Sequence, residues 1–199
     1  QAHTDPAAAL DAYEQTILAA PQQRLHTDPV VHAYAITARR CGFHREHLVA
    51  FFSSMRADLT HREYSPSELQ DYIYGSAEAI GLLCLQIFLA EENVSPADRA
   101  AMERGARALG SAFQKINFLR DLREDSSTLG RTYFQQVQSG RIDEATKSAL
   151  IAEIRRDLAT AALTIDLLPA SARVGVSAAA DIFAELTNRL AATPATALA

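Results

Sequence analysis

The sequence predicts an all-α protein, and three observations predict it. Glycine and proline number only 8 and 7 in 199 residues, so long stretches run without a breaker. Alanine and leucine, both strong helix formers, are abundant in those stretches. No alternating run of β-branched residues marks a strand. The pattern places helices, in order, at residues 5–20, at 29–40 behind Asp28-Pro29, at 45–58, and at 66–91 behind Ser65-Pro66. Others follow at 96–126 behind Ser95-Pro96, then at 132–138, 143–167 and 172–191. In each of the three named pairs a capping oxygen precedes a proline suited to the first helical turn. Ser65 and Glu68 also have the spacing of a capping box. The final "AATPATALA" reads as a frayed end. With no repeat and no break in composition, residues 1–199 read as a single helical domain.

Composition narrows the function. Hydrophobic residues at 48% and charged residues at 22% describe a globular protein and exclude a disordered or collagen-like chain. A net charge of −5 argues against wrapping nucleic acid. Cys41 and Cys84 lie far apart with no CxxC spacing, which argues against a disulfide framework or a structural zinc site and makes a reducing compartment, the cytoplasm, the expectation. The longest apolar run, Ile80 to Ala90, contains Gln86 and is too short to span a bilayer. No signal peptide opens the chain, and Gln1 is not a translation start, so the chain is expected to be a fragment or a processed product.

Two segments carry chemistry. In "GSAFQKINFLRDLREDSSTLGRTYF", residues 110–134, the spacing of Gln114, Asn117, Asp121 and Asp125 forms one polar stripe on a helix. Two carboxylates one turn apart repel unless a divalent cation sits between them. Oxygen donors alone suit Mg²⁺, which completes its shell with water and substrate phosphate. Arg120 and Arg131 flank the pair and could grip phosphate oxygens. Spacing leaves a second reading open, a solvated helix end with ordinary Asp–Arg pairing. In "DYIYGSAEAIGLLCLQIF", residues 71–88, Tyr72, Ser76 and Ile80 share a helical face, and Gly75 and Gly81 keep the helix slim. Glycine inside a helix costs about 1 kcal/mol against alanine, so something approaches closely: a neighbouring helix or a long apolar ligand.

Together and in this order, the segments resemble the squalene/phytoene synthase family of head-to-head prenyltransferases, closest to its bacterial phytoene synthases. The resemblance rests on Tyr72, Tyr74, Ala77, Ile80 and Gly81 in one segment. In the other it rests on Gln114, Asn117, Leu119, Arg120, Asp121 and Asp125, then Gly130, Arg131 and Tyr133. It implies the all-α isoprenoid synthase bundle, here without its N-terminal helices. It also implies Mg²⁺ held by Asn117, Asp121 and Asp125 on a prenyl diphosphate, with Gln114, Arg120, Arg131 and Tyr133 beside the substrate. Tyr72 would stand near the reacting centre, as a catalytic residue with Asp121 and Asp125. Ser76, Ala77, Ile80 and Gly81 would wall the hydrocarbon chains. The implied reaction joins two geranylgeranyl diphosphates into phytoene through a cyclopropyl diphosphate. The alternatives are a squalene synthase-type enzyme on farnesyl diphosphate and a non-catalytic binding protein. Peripheral membrane association suits a hydrocarbon product.

Four features depart from that pattern or stand outside it. The family's first aspartate-rich motif is absent, since Asp5 and Asp11 lack its spacing, so the isolated chain is expected to be inactive. Lys115 stands where an apolar residue is commoner, and Phe183 where tyrosine is frequent. His44 and His47 in "HREH" read as a solvated helix start with no third ligand nearby. Cys84 reads as a buried small hydrophobe.

Overall fold

The protein, seen in a computed structural model, is described over residues 5–60, 63–122 and 142–198. Helices α1 (Pro6–Ala19), α2 (Pro29–Cys41), α3 (Arg45–Thr60), α4 (Pro66–Ile73) and α5 (Ala79–Phe88) are followed by α6 (Pro96–Arg120), α7 (Glu144–Ile165), α8 (Ala170–Ala192) and α9 (Ala195–Leu198). No strand occurs among the described residues. The caps form where the serine–proline and aspartate–proline pairs stand. Asp28 Oδ1 accepts the N–H groups of Val30 and Val31 at 2.8 and 3.0 Å. Ser65 and Glu68 close a reciprocal capping box, and Ser95 Oγ accepts the Asp98 N–H at 3.1 Å. Each such cap contributes about 1 kcal/mol by satisfying a donor the helix cannot.

Helix α6 is the centre of the bundle. It packs most extensively on α7, and also on α5 and α8. The largest core cluster gathers Tyr64, Tyr72, Ile116, Phe118, Leu119, Ile151 and Ile154 around this α6–α7 contact. Ile154 is fully buried, which is worth about 1.5–3 kcal/mol for a side chain of its size. A second cluster (Ile17, Val31, Ala35, Phe52) joins α1, α2 and α3. The third (Leu85, Leu89, Met102, Leu168) closes the α5–α6 end.

Three expectations need correction. The helix predicted over 66–91 is one rod, but residues Tyr74–Glu78 form a π turn within it, where the Ala79 N–H reaches five residues back to Tyr74 O. The helix predicted to run to 126 closes at Arg120. Asp121 turns out of it with φ −97° and ψ 7°, and its carboxylate is bound by the neighbouring guanidinium instead of facing along the helix. The C-terminal segment is docked, not frayed. Lys147 Nζ donates to the Ala191 and Thr193 carbonyls, and the Ala195 N–H donates to Glu144 Oε1 at 2.6 Å. The helix expected at 132–138 lies outside the described residues. Among the described residues, no helix is long and apolar enough to cross a membrane.

Candidate active site

An apolar cavity of about 590 Å³ lies between α5, α6, α7 and α8, and no charged side chain among the described residues lines it. Ser76, Ala77, Ile80 and Gly81 form part of its wall. The π turn and α5 can lie so close to α6 because of Gly81, whose missing Cβ would stand 2.6 Å from Ala106 O. Gly75 makes the equivalent approach to α3, where a Cβ would meet Ala50 O at 2.2 Å. Neighbouring helices therefore account for the glycines, and the cavity is what remains between the helices they bring together. Cys84 is exposed rather than buried; it opens onto this cavity, and partial desolvation raises its thiol pKa.

On α6 the cavity face runs through Met102, Ala106, Leu109 and Phe113. Phe113 closes one end and stacks on Phe183 of α8, with ring centroids 3.7 Å apart. Four residues further on, one helical turn along the same side, comes Asn117. Gln114 and Asn117 are half-buried. Asn117 Oδ1 is buried and has no hydrogen-bond partner among the described residues. Leaving such an oxygen unpaired costs about 1–3 kcal/mol, so the position favours an incoming cation or donor. One turn on again, Arg120 donates through Nε and Nη2 to the two oxygens of Asp121, both at 2.6 Å. Beyond the cavity, α6 thus carries in succession a buried amide oxygen, a guanidinium and a carboxylate. An amide oxygen with a carboxylate suits Mg²⁺, so the donors present fit the ion. Asp125, Gly130, Arg131 and Tyr133 lie outside the described residues.

Tyr72 stands apart from the cavity. Its ring packs edge-on against Tyr64 and tilted against Phe118, and its hydroxyl donates to Asp58 Oδ1 at 3.0 Å. A regular helix would put Tyr72 and Ser76 on one face. Tyr72 nevertheless packs in the core while Ser76, whose hydroxyl donates back to the Tyr72 carbonyl at 2.7 Å, faces the cavity.

Sequence reasoning missed what lies behind α6. A polar cleft of about 570 Å³ opens there, lined among others by Tyr74, Glu78, Arg107, Ser111, Lys115 and Glu153. Lys115 Nζ donates to Glu153 Oε1 at 2.8 Å and Asp157 Oδ2 at 2.9 Å. Burial by itself would lower the pKa of this ammonium, but its hydrogen bonds to Asp157 and Glu153 outweigh that and hold it above the usual lysine value. The signal was present as Ser111 and Lys115 one turn apart, matched by Glu153 and Asp157 one turn apart.

Comparison with solved structures places this architecture in a class. The chain superposes on the crystal structure of squalene synthase HpnC from Alicyclobacillus acidocaldarius with a TM-score of 0.73, covering 96% of this chain and 76% of that one. At 19% identity the likeness defines the fold, the all-helical isoprenoid synthase bundle. The family model for squalene/phytoene synthase matches residues 1–199, and the chain belongs to that family. Members of the family are head-to-head prenyltransferases. Phytoene synthase 3 of Zea mays is 43% identical over 86 residues, 41% of this chain and 19% of that protein. The 4,4'-diapophytoene synthase of Staphylococcus haemolyticus is 31% identical over 131 residues, 65% of this chain and 42% of that one. The chain therefore spans less than half the length of these curated relatives.

Proposed function

We propose that the protein joins two geranylgeranyl diphosphates head to head into phytoene, through a cyclopropyl diphosphate, with Mg²⁺ as the metal. The observation that carries this reading is the order along α6, an uncharged cavity as far as Phe113 and then Asn117, Arg120 and Asp121 over the next two turns. A prenyl diphosphate has the same two halves. Bound Mg²⁺ would neutralise the departing diphosphate, and Asn117, Asp121 and Asp125 are the residues to hold it. The cavity walls at Ser76, Ala77, Ile80 and Gly81 would order the chains and keep water from an allylic cation. Arg120 exchanges its bond to Asp121 for one to phosphate, with Gln114, Arg131 and Tyr133 completing the substrate's polar contacts. Tyr72, bonded to Asp58 and packed on Phe118, braces the helix behind Asn117.

Replacing Asp121 by alanine in the complete protein tests the assignment. Turnover should vanish while helical content holds, and normal product formation would remove Asp121 from the site. Supplying geranylgeranyl or farnesyl diphosphate, with and without NADPH, identifies the substrate. A reduced C30 product would replace the phytoene reading with the squalene-type one.

A further inference from the structure

We propose a second metal site, formed by His44, Glu46 and His47 at the start of α3, that takes a divalent transition ion of the zinc class. It stands on its own residues and does not depend on the prenyltransferase reading. One ligating atom from each residue lies within 4.8 Å of the other two. With bonds of about 2.0–2.2 Å, the ligands of a tetrahedral ion stand about 3.3 Å apart, so closing the site needs a movement of about 1.5 Å at most. His44 and Glu46, with side chains 59% and 73% exposed, are free to make it, and their side chains already approach to 3.7 Å. The donor set is the opposite of the one on α6. Two imidazoles with one carboxylate select zinc, copper or nickel over magnesium.

Both histidines are held from behind. Gln86 of α5 clamps the turn that carries His44, donating to Gly42 O at 3.1 Å and accepting the His44 N–H at 3.4 Å. Gly42 itself adopts φ 64°, the left-handed geometry that ends α2. His47 is buried, and its Nδ1 pairs with the Tyr74 hydroxyl at 3.2 Å, leaving Nε2 as the ring's ligating atom. Such an outer partner orients a metal-bound imidazole and fixes its tautomer. Two features oppose a cation here. The positive end of α3 is near, offset by the Glu46 charge. Arg45 and Arg107 are near too, but Arg45 turns away to Leu18 O at 3.5 Å and Arg107 is paired with Glu78 at 2.7 Å. Three protein ligands leave one position for water.

Zinc titrated into the chelator-treated chain, with excess Mg²⁺ present and read against a chromophoric chelator, tests the site. One equivalent should bind and raise the melting temperature. His44→Ala, at an exposed position, should weaken binding at least about tenfold and leave the metal-free melting temperature unchanged. Tyr74→Phe should weaken it about 10–100-fold through the His47 ring. The proposal is overturned if zinc is not taken up, if Mg²⁺ displaces it, or if His44→Ala and Glu46→Gln both bind as the unmodified chain does.

Discussion

Replacing Lys115 by methionine removes one ammonium and keeps most of the side-chain stem. In the native protein that ammonium is shared by Glu153 and Asp157, and Ser111 Oγ donates to the same Asp157 oxygen at 3.0 Å. The Lys115 side chain is 11% exposed, against 44% for Glu153 and 24% for Asp157. Stripping one partner from a fully buried pair costs about 3–5 kcal/mol. Water still reaches both carboxylates here, so the expected loss at neutral pH is about 1–3 kcal/mol. The pH dependence carries a sign. Because the folded pKa of Lys115 is raised above 10.5, its contribution is complete below that value and is lost as pH rises through the higher folded one. Urea unfolding of both proteins should therefore show a stability gap at neutral pH that closes in strongly alkaline solution. A gap below about 0.5 kcal/mol at neutral pH, or one that persists undiminished into alkali, would refute the reasoning.

Three further outcomes are expected. Gly75→Ala adds a Cβ 2.2 Å from Ala50 O and 2.3 Å from Ser54 Oγ. The clash should outweigh the helix-propensity gain and lower stability by about 1–3 kcal/mol; an unchanged melting temperature would contradict it. Ala179→Phe, on the α8 wall of the apolar cavity, should weaken binding of a prenyl diphosphate analogue by at least about tenfold, the equivalent of 1.4 kcal/mol, with circular dichroism unaltered. Equal affinity in both proteins would place the chains elsewhere. Calorimetry should find Mg²⁺ bound weakly alone and more tightly with inorganic diphosphate, because Asp121 is engaged by Arg120 until phosphate draws the guanidinium away. Tight binding of the metal by itself would count against the site.

What could be read in advance depended on how local the cause was. Asp28, Ser65 and Ser95 mark helix starts because capping is settled within four residues, and all three caps form. The grouping of Ser76, Ala77, Ile80 and Gly81 came from the family resemblance, and all four line the cavity. The π turn was not legible, because it answers to the close approach of α3 at Gly75, which lies far away in sequence. Tyr72, expected to share a face with Ser76 and Ile80, packs in the core and does not line the cavity. The early end of α6 was not legible either, because the polar stripe runs unbroken through Asp121, where the backbone leaves the helix. Lys115 drew notice as an odd residue, but its partners sit 38 and 42 positions away and look like ordinary surface charges. Glu46 stood inside "HREH" from the outset; only the fold brings it level with both histidines.

The extra residue in the Tyr74–Glu78 turn acts as a phase offset between two otherwise regular helices. Straightening the turn into regular α-helix at unchanged length would rotate everything after it by about 100° relative to α4. Gly81 would then turn away from Ala106 O, and Ile80 would leave the cavity wall. Any other side chain brought to the Ala106 contact would collide with backbone. The two halves of the rod are therefore written in frames one residue apart, and the wide turn absorbs the difference.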